Sequence, residues 1–487
     1  MPKKTDQLIA VIDLGTTGNR SVLFNTQGNE VAKAYREFPT ITEEPEQAEQ
    51  DAHDWWRTTQ ETMREVTSRK TVDPKTISAV SVVTQRATLL PLDKTGSPLA
   101  RAITWIDMRI SPSAKKYEEL VKQRISLRRA LWFKDMHPEV FSKTSTFATP
   151  DAFLYHRLTG TLASDLTNHD FGILDTETFK LDEKLGEELE LPISLWPKLV
   201  HSGSIVGEIT KEAETTTGLP AGIPVVVGGG DQQCATLGLG VLNQGEAKLT
   251  IGTGTFIITP VEKILKDPLG VLFNHPHVLP NQRVLEGAIP DTGTILRWFR
   301  DQFGHVEVAV AARLGADPYD YIMDQAAQAP PGSDGLSLFP FLTWSMGTIQ
   351  GLGFHHSRAH VARAILESVA YAARFSIDTM FSIGVTLNEL RLDGGGARSG
   401  LWRQILCDVT NKPCIYTHVD EGTALGAAIL ASLGLKLYPS VEESVKAMVH
   451  QREILSPNTE NAEAYNQGYS RFQKILMNNI QEILKHV

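Results

Sequence analysis

One carboxylate, Asp231, stands within Val225-Val-Val-Gly-Gly-Gly-Asp-Gln-Gln-Cys-Ala-Thr-Leu-Gly-Leu-Gly240. Three β-branched residues read as the end of a buried strand, three glycines as a sharp turn, and Ala235 to Leu237 as the start of a helix. Glycine lets the backbone approach a ligand closely, and a helix start offers its positive end to an anion. An acid so placed could take a proton from a hydroxyl while a phosphate is held nearby. It is also the place of an N-cap, the commoner role of a single Asp before a helix. The stretch alone does not decide between the two.

Three further turns, at residues 15–18, 252–254 and 394–396, combine Gly with Thr or with more Gly, and each follows a strand pattern. Any one of them is most simply a turn. Together they present backbone N–H groups and hydroxyls in the arrangement that suits phosphates. Two such hairpins, one per domain, would clamp an ATP tail in an interdomain cleft, with the third passing beneath the adenosine. No G-x-x-x-x-G-K-[ST] string occurs, and Gly228-Gly-Gly230 lacks the G-x-G-x-x-G spacing of a dinucleotide site. His275, His277, His355 and His356 show no ligand spacing such as H-E-x-x-H and read as scattered histidines.

The elements that must position these residues are legible in outline. Leu8 to Phe24 reads as a hairpin with its tip at Gly15 to Gly18, and a third strand runs near Val31 to Arg36. A helix is expected from Asp51 to Val66, with Asp51 as cap and Trp55, Thr59, Met63 and Val66 on one face. Ile77 to Val83 reads as a buried strand. From Ser113 to Leu131 the pattern is helical, with Lys122, Arg124, Arg128 and Arg129 as a solvated face. Ala247 to Thr259 repeats the strand–turn–strand pattern, and Leu390 to Asp393 is a short strand before the third turn. Arg358 to Met380 is a helix with the stripe Val361, Ile365, Val369, Ala372 and Phe375. A last helix runs from about Ala462 to Val487.

The 487 residues, 41% hydrophobic and 21% charged, describe a globular chain long enough for two domains. We place the boundary between 242 and 243, because similar strand-and-helix halves flank it. A net charge of −10 argues against nucleic acid or an anionic membrane surface as partner. Cys234, Cys407 and Cys414 form no CxxC pair and favour a reducing, cytoplasmic compartment.

These strings, in this order, resemble the FGGY carbohydrate kinases over nearly the whole chain. Asp13-Leu-Gly-Thr-Thr-Gly-Asn-Arg20 resembles the family's first phosphate loop and Ile251-Gly-Thr-Gly-Thr-Phe256 the second. Asp393-Gly-Gly-Gly-Ala397 resembles the adenosine loop, Glu421-Gly-Thr-Ala-Leu-Gly-Ala-Ala428 the helix opening that follows it, and Gly230-Asp-Gln-Gln233 the turn that carries the base. The resemblance implies an α/β fold of two RNase H-like domains of the actin/hexokinase ATPase type around a central cleft. By the same resemblance Asp231 would be the catalytic base, with Gln85, Arg86, Trp105, Gln232 and Phe256 at the sugar. Gly15, Thr16, Thr17, Arg20, Gly252, Thr253, Gly293, Arg297, Gly394, Gly395, Gly396 and Ser399 would meet ATP, and Asp13 would organise Mg²⁺. For Trp105 and Phe256 core packing is a rival reading, and for Arg86 a surface salt bridge.

Arg36-Glu-Phe38, Thr84-Gln-Arg86, Trp105-Ile-Asp-Met-Arg109, Gly230-Asp-Gln-Gln233 and Leu285-Glu-Gly287 look most like glycerol kinases. Pro138-Glu-Val-Phe141 and residues 151–160 look more like xylulokinases. Glycerol kinases carry Glu after Gln-Arg, where this chain has Ala87. A carboxylate accepting from two hydroxyls is worth about 2–4 kcal/mol, so its absence points to a different or larger substrate. The xylulokinase Met-His-Gly string is also missing. The expected activity is ATP-dependent phosphorylation of a primary hydroxyl on a small polyol or ketose. A ketopentose kinase of xylulokinase type is the alternative, and more remotely a non-kinase actin-like ATPase. A homodimer and a homotetramer are the candidate assemblies.

Overall fold

The computed structural model describes residues 7–252, 254–289, 291–340, 347–418 and 420–483. They form two compact units. The first gathers residues up to Gly240 with 275–283 and 421–450, and the second holds 241–274, 284–420 and the chain from Gln451 onward.

The first unit is built on a six-stranded sheet in the order Ile205–Glu208, Pro224–Gly230, Ile77–Thr84, Leu8–Leu14, Gly18–Asn25, Glu30–Glu37. The strands at Leu8, Ile77 and Pro224 run parallel, and the flanking ones are antiparallel. Parallel strands are covered on both faces, which is why they read as unbroken apolar runs; Ile9 to Ile12 are fully buried. The expected hairpin forms with Leu14 opposite Asn19, and the Gly15 N–H donates to the Gly18 carbonyl at 3.0 Å.

Helix Ala52–Thr67 packs against this hairpin. Asp51 caps it by accepting from the His53 N–H at 2.9 Å, and the predicted stripe of Trp55, Thr59, Met63 and Val66 is buried. The contact is partly polar: Thr62 meets Ser21 at 2.7 Å, and Asn19 donates to Thr59. Helix Gly422–Gly434 packs on the three parallel strands and on helix Asp231–Gly238.

Between Pro112 and Met136 the expected continuous helix is broken into Pro112–Lys116, Glu118–Val121 and Ile125–Met136. The breaks re-aim the basic residues. Lys122 is exposed as expected, but Arg129 is buried, donating to the carbonyls of Thr104 and Ile125, and burial lowers its guanidinium to about 9. Arg124 donates to the carbonyls of Gly172 and Leu174. The solvated-face reading therefore fails for these two, because each arginine turns its guanidinium inward to donate to main-chain carbonyls.

The second unit repeats the pairing pattern. Its seven-stranded sheet runs Leu272–Pro276, Arg283–Ile289, Thr255–Val261, Glu246–Ile251, Glu389–Asp393, Cys414–Thr417, Gln451–Leu455. As in the first unit, a hairpin is followed by two parallel strands and an antiparallel edge. Helix Arg358–Ser382 forms where its stripe predicted it. Ile365, Val369 and Ala372 are buried, with Val361 and Phe375 half-buried beside them. The last helix spans Ala462–Ile483, and residues 484–487 lie outside the described residues.

Candidate active site

In the first unit the parallel strands end level with one another: Leu14 and Gly230 both pair with Thr84. The residues that follow these three ends are Gly15-Thr16, Gln85-Arg86 and Asp231. Chain ends of parallel strands are where α/β sheets expose loops for ligands.

The Gly228–Gly230 run is needed for packing. A Cβ on Gly228 would lie 2.2 Å from the Val82 carbonyl oxygen, and one on Gly230 would lie 2.7 Å from Cδ of Arg86. Asp231 is the first residue of its helix, and Gly230 takes the N-cap place. Its Oδ1 accepts from the Gln232 N–H at 2.8 Å, and the side chain is 30% exposed. The sequence alternative of Asp231 as N-cap does not hold.

Arg86 is buried and links two carboxylates. Nε lies 3.5 Å from Asp231 Oδ1, and Nη1 lies 3.4 Å from Asp170 Oδ2. The surface salt bridge considered for Arg86 is thus a buried ion-pair network. Asp170 also meets His275 Nδ1 at 3.2 Å and accepts from Gln233 Nε2 at 3.1 Å. Burial pushes the Asp170 carboxyl up, but His275, Arg86 and Gln233 outweigh it and hold it below its usual range. Phe171 covers the cluster, its ring 5.2 Å from the Arg86 guanidinium and 4.8 Å from the His275 ring.

A second set of bonds fixes the turn itself. The Gly230 N–H donates to Thr167 Oγ1 at 2.7 Å, and that hydroxyl donates to Asp165. Asp165 also accepts from Ser202 at 2.6 Å, and burial raises its carboxyl to about 7 against these bonds.

Trp105 is 36% exposed, which sets aside core packing, and its indole N–H donates to Thr16 Oγ1 at 2.8 Å. Thr17 is exposed and meets the Tyr35 hydroxyl at 3.2 Å. Arg20 is anchored 2.7 Å from Glu421 and 3.7 Å from Asp13. Gln232 lies beside Asp231, its amide 3.3 Å from Oδ2. The first unit therefore brings together Asp231, Arg86, Gln85, Gln232, Trp105 and the first hairpin. Sequence reasoning missed Asp170, Phe171, Gln233, His275, Thr167 and Asp165; the polar run Thr167-Asn-His-Asp170 is the one local signal, and it holds only Thr167 and Asp170.

The other predicted residues belong to the second unit. Gly252 donates to the Gly254 carbonyl at 3.1 Å, closing the second hairpin. Its own carbonyl accepts from the Gly293 N–H at 2.8 Å and from Thr292 Oγ1 at 3.1 Å, which ties the hairpin to the start of helix Thr292–Phe303. The third turn touches the same place: a Cβ on Gly394 would lie 2.5 Å from the Ile251 carbonyl oxygen, and one on Gly396 2.4 Å from the Ile251 side chain. A Cβ on Gly395 would meet nothing within 4 Å, so this residue borders open space. Ser399 caps helix Gly400–Thr410 by accepting from the Trp402 N–H at 3.2 Å. Phe256 is half-buried and Arg297 exposed. Thr253 lies outside the described residues.

Among the described residues no three of His, Cys, Asp and Glu gather as a metal site. A cation here would complete its shell with phosphate oxygens and water, which is how Mg²⁺ is ordinarily held. Asp13, at the end of strand Leu8–Leu14, fits that requirement with a single carboxylate.

His277 is buried beside this region, with Nδ1 accepting from the Val278 N–H at 2.8 Å, and burial lowers its imidazole to about 4. The unfolded chain takes this proton near pH 6.5, and the folded protein refuses it until about pH 4. Stability from His277 is thus present above 6.5 and withdrawn as the pH falls toward 4. Between pH 7 and 5 the wild type should lose about 2 kcal/mol more than His277→Asn does. Urea unfolding at both pH values checks this; parallel losses would show that His277 carries charge in the folded state.

The paired pattern of the two sheets and their glycine turns defines the actin/hexokinase-like class of two-domain α/β folds. Comparison with known proteins narrows the class. The chain matches the FGGY family of carbohydrate kinases, N-terminal domain, over residues 8–238, and the C-terminal domain of the same family over residues 247–435. It belongs to that family and is a carbohydrate kinase. A xylulose kinase from Staphylococcus epidermidis is 27% identical over 490 residues, with 96% of each chain covered. An autoinducer-2 kinase from Yersinia enterocolitica is 29% identical over 499 residues, covering 96% of this chain and 94% of that one. The solved xylulose kinase from Rhodospirillum rubrum superposes with a TM-score of 0.86 at 25% identity, covering 97% and 99%. Membership sets aside the non-kinase ATPase alternative. No helix among the described residues is long and apolar enough to cross a membrane.

Proposed function

We propose that this kinase transfers the γ-phosphoryl group of ATP to a primary hydroxyl of a small polyol or ketose, with Asp231 as the base. The observation that carries the reading is the Asp231–Arg86–Asp170 network at the ends of three parallel strands, beside the first hairpin. A hydroxyl is a poor nucleophile at neutral pH, so it needs orientation and a nearby acceptor for its proton. Asp231 is exposed enough to meet a hydroxyl, and Arg86, held from behind by Asp170, would fix a second one. Trp105 would offer its face to the sugar carbons, and Phe256 would add a second apolar surface.

The turns at 15–18, 252–254 and 394–396 would hold ATP by backbone N–H groups, with Gly395 where the nucleotide needs room. Asp13 would hold Mg²⁺, which when bound supplies charge compensation at the phosphoryl oxygens. The domain boundary near 242–243 fits the two family matches. The three cysteines are buried, and Cys407 and Cys414 are free thiols, which supports the cytoplasmic reading.

Of the two substrate readings, the ketose is favoured. Ala87, where a glycerol-binding carboxylate would stand, is buried with a left-handed backbone of φ 54°. The relatives named above are xylulose and autoinducer-2 kinases. ADP release should therefore depend on added acceptor, with xylulose or ribulose ahead of glycerol and erythritol. A coupled assay over this panel tests it, and no acceptor-dependent ADP release from any of them would overturn the reading.

A further inference from the structure

Gln50 ends the two-residue strand Glu49–Gln50 and is fully buried. Its amide makes four hydrogen bonds. The Trp55 indole N–H, which can only donate, reaches Oε1 at 3.1 Å. Oε1 is therefore the accepting end, and Nε2 is the donating end. Nε2 points to the Thr16 carbonyl at 2.7 Å and to the Thr40 hydroxyl at 3.1 Å.

Gln85 meets the same Oε1 at 2.8 Å. Since that oxygen only accepts, Gln85 must turn its NH₂ toward it. The Gln85 carbonyl oxygen then faces away, buried and without a partner among the described residues. One indole thus sets the sense of two amides in series, with no freedom for either to flip. An enclosed acceptor left without a donor is costly, so Gln85 calls for an O–H from outside the chain.

We propose that Gln50 is a positioning residue with two arms: it holds the Thr16 carbonyl at the tip of the first hairpin, and it turns Gln85 so that its oxygen accepts a hydroxyl of the acceptor sugar. The proposal rests on the reading of the first hairpin and of Gln85 as parts of the active site. It adds the residue that couples them and the direction of the Gln85 bond. Gln85 selects for acceptors with a hydroxyl donor at that point, and a deoxy analogue would leave its oxygen unpaired.

The experiment uses the full chain, MgATP, and D-xylulose or whichever panel acceptor gives the highest kcat/KM. Gln50→Glu keeps an acceptor for Trp55 and Gln85 but sets an oxygen against the Thr16 carbonyl, so the MgATP Kd, read by calorimetry, should rise about tenfold with a smaller change in sugar KM. Gln50→Met satisfies neither arm and should raise both. Trp55→Phe removes the donor that sets the sense and should raise the sugar KM several-fold. If Gln50→Glu does not fold, Gln50→Met and Trp55→Phe carry the test.

Values within twofold of wild type in folded Gln50→Met, with only the melting temperature lowered, would overturn the proposal; a buried water, not a sugar hydroxyl, would then be the partner of Gln85. Asp231→Asn run beside them separates this from a failure of the base assignment. Turnover lost in Asp231→Asn but both constants unchanged in Gln50→Met condemns Gln50 alone, and the converse condemns the base.

Discussion

Asp231→Asn should lower kcat by about 10²-fold or more, the scale of a positioned base, while the MgATP Kd stays within about twofold. The geometry explains why the change should be so selective. Asn keeps an oxygen to accept from the Gln232 N–H, now made at 2.8 Å by Oδ1, so the first turn of the helix is undisturbed. Arg86 loses one anion but keeps the other, since Asp170 remains 3.4 Å from Nη1. What Asn cannot do is take a proton. The measurement is a pair: ADP release with saturating acceptor for kcat, and calorimetry for nucleotide. Turnover near that of the wild type would refute Asp231 as the base. A joint fall in turnover and ATP affinity would show that it shapes the site and does not act in it.

The second large effect is on stability. Helices Asp231–Gly238 and Gly422–Gly434 meet backbone to backbone. A Cβ on Gly426 would lie 1.8 Å from the Cys234 carbonyl oxygen, and one on Gly238 would lie 1.9 Å from that of Gly422. Carbonyl oxygens within helices cannot swing aside as a side-chain tip can, so the two helices must move apart. Overpacking ordinarily costs about 1–3 kcal/mol, and a clash with fixed backbone belongs at or beyond the top of that range. Gly426→Ala should therefore lose about 3 kcal/mol or more in chemical denaturation. Gly400→Ala is the control. Its Cβ would come no closer than 3.8 Å to Arg403, so a helix-starting glycine gains Ala at little cost or a slight benefit. Equal stability of the two variants would mean that the helices are not in backbone contact. Because Asp231 opens one of these helices, any folded Gly426→Ala should also turn over more slowly.

Much of this site could be read from local patterns, and the reasons are physical. The hairpin at Leu8 to Phe24 and the cap at Asp51 depend on neighbours a few residues away, so spacing reveals them. The glycines at 228–230 are required by the approach of Val82 and Arg86, and their clustering betrays that need. The residues that hold Arg86 from behind are hidden for the opposite reason. Asp170, Gln233 and His275 come from three distant segments and meet only in the folded chain. His275 reads as scattered because its partner Asp170 is not near in sequence. Gln50 has no local signature: an amide beside an acidic loop looks solvated until Trp55, Gln85 and Thr16 are seen around it. Arg129 misled because the helix carrying it is interrupted, so a face counted along one helix was not one face.

The composition of the first unit bears on its biogenesis. Helix Gly422–Gly434, which covers the strands and the Asp231 helix, is made long after Gly240 has left the ribosome. At translation rates of 5–20 residues per second, the intervening stretch delays its arrival by roughly 10–40 s. During that interval the apolar strand surface it will cover has no permanent lid, so a chain ended before Glu421 should expose that surface and aggregate more readily than the full chain.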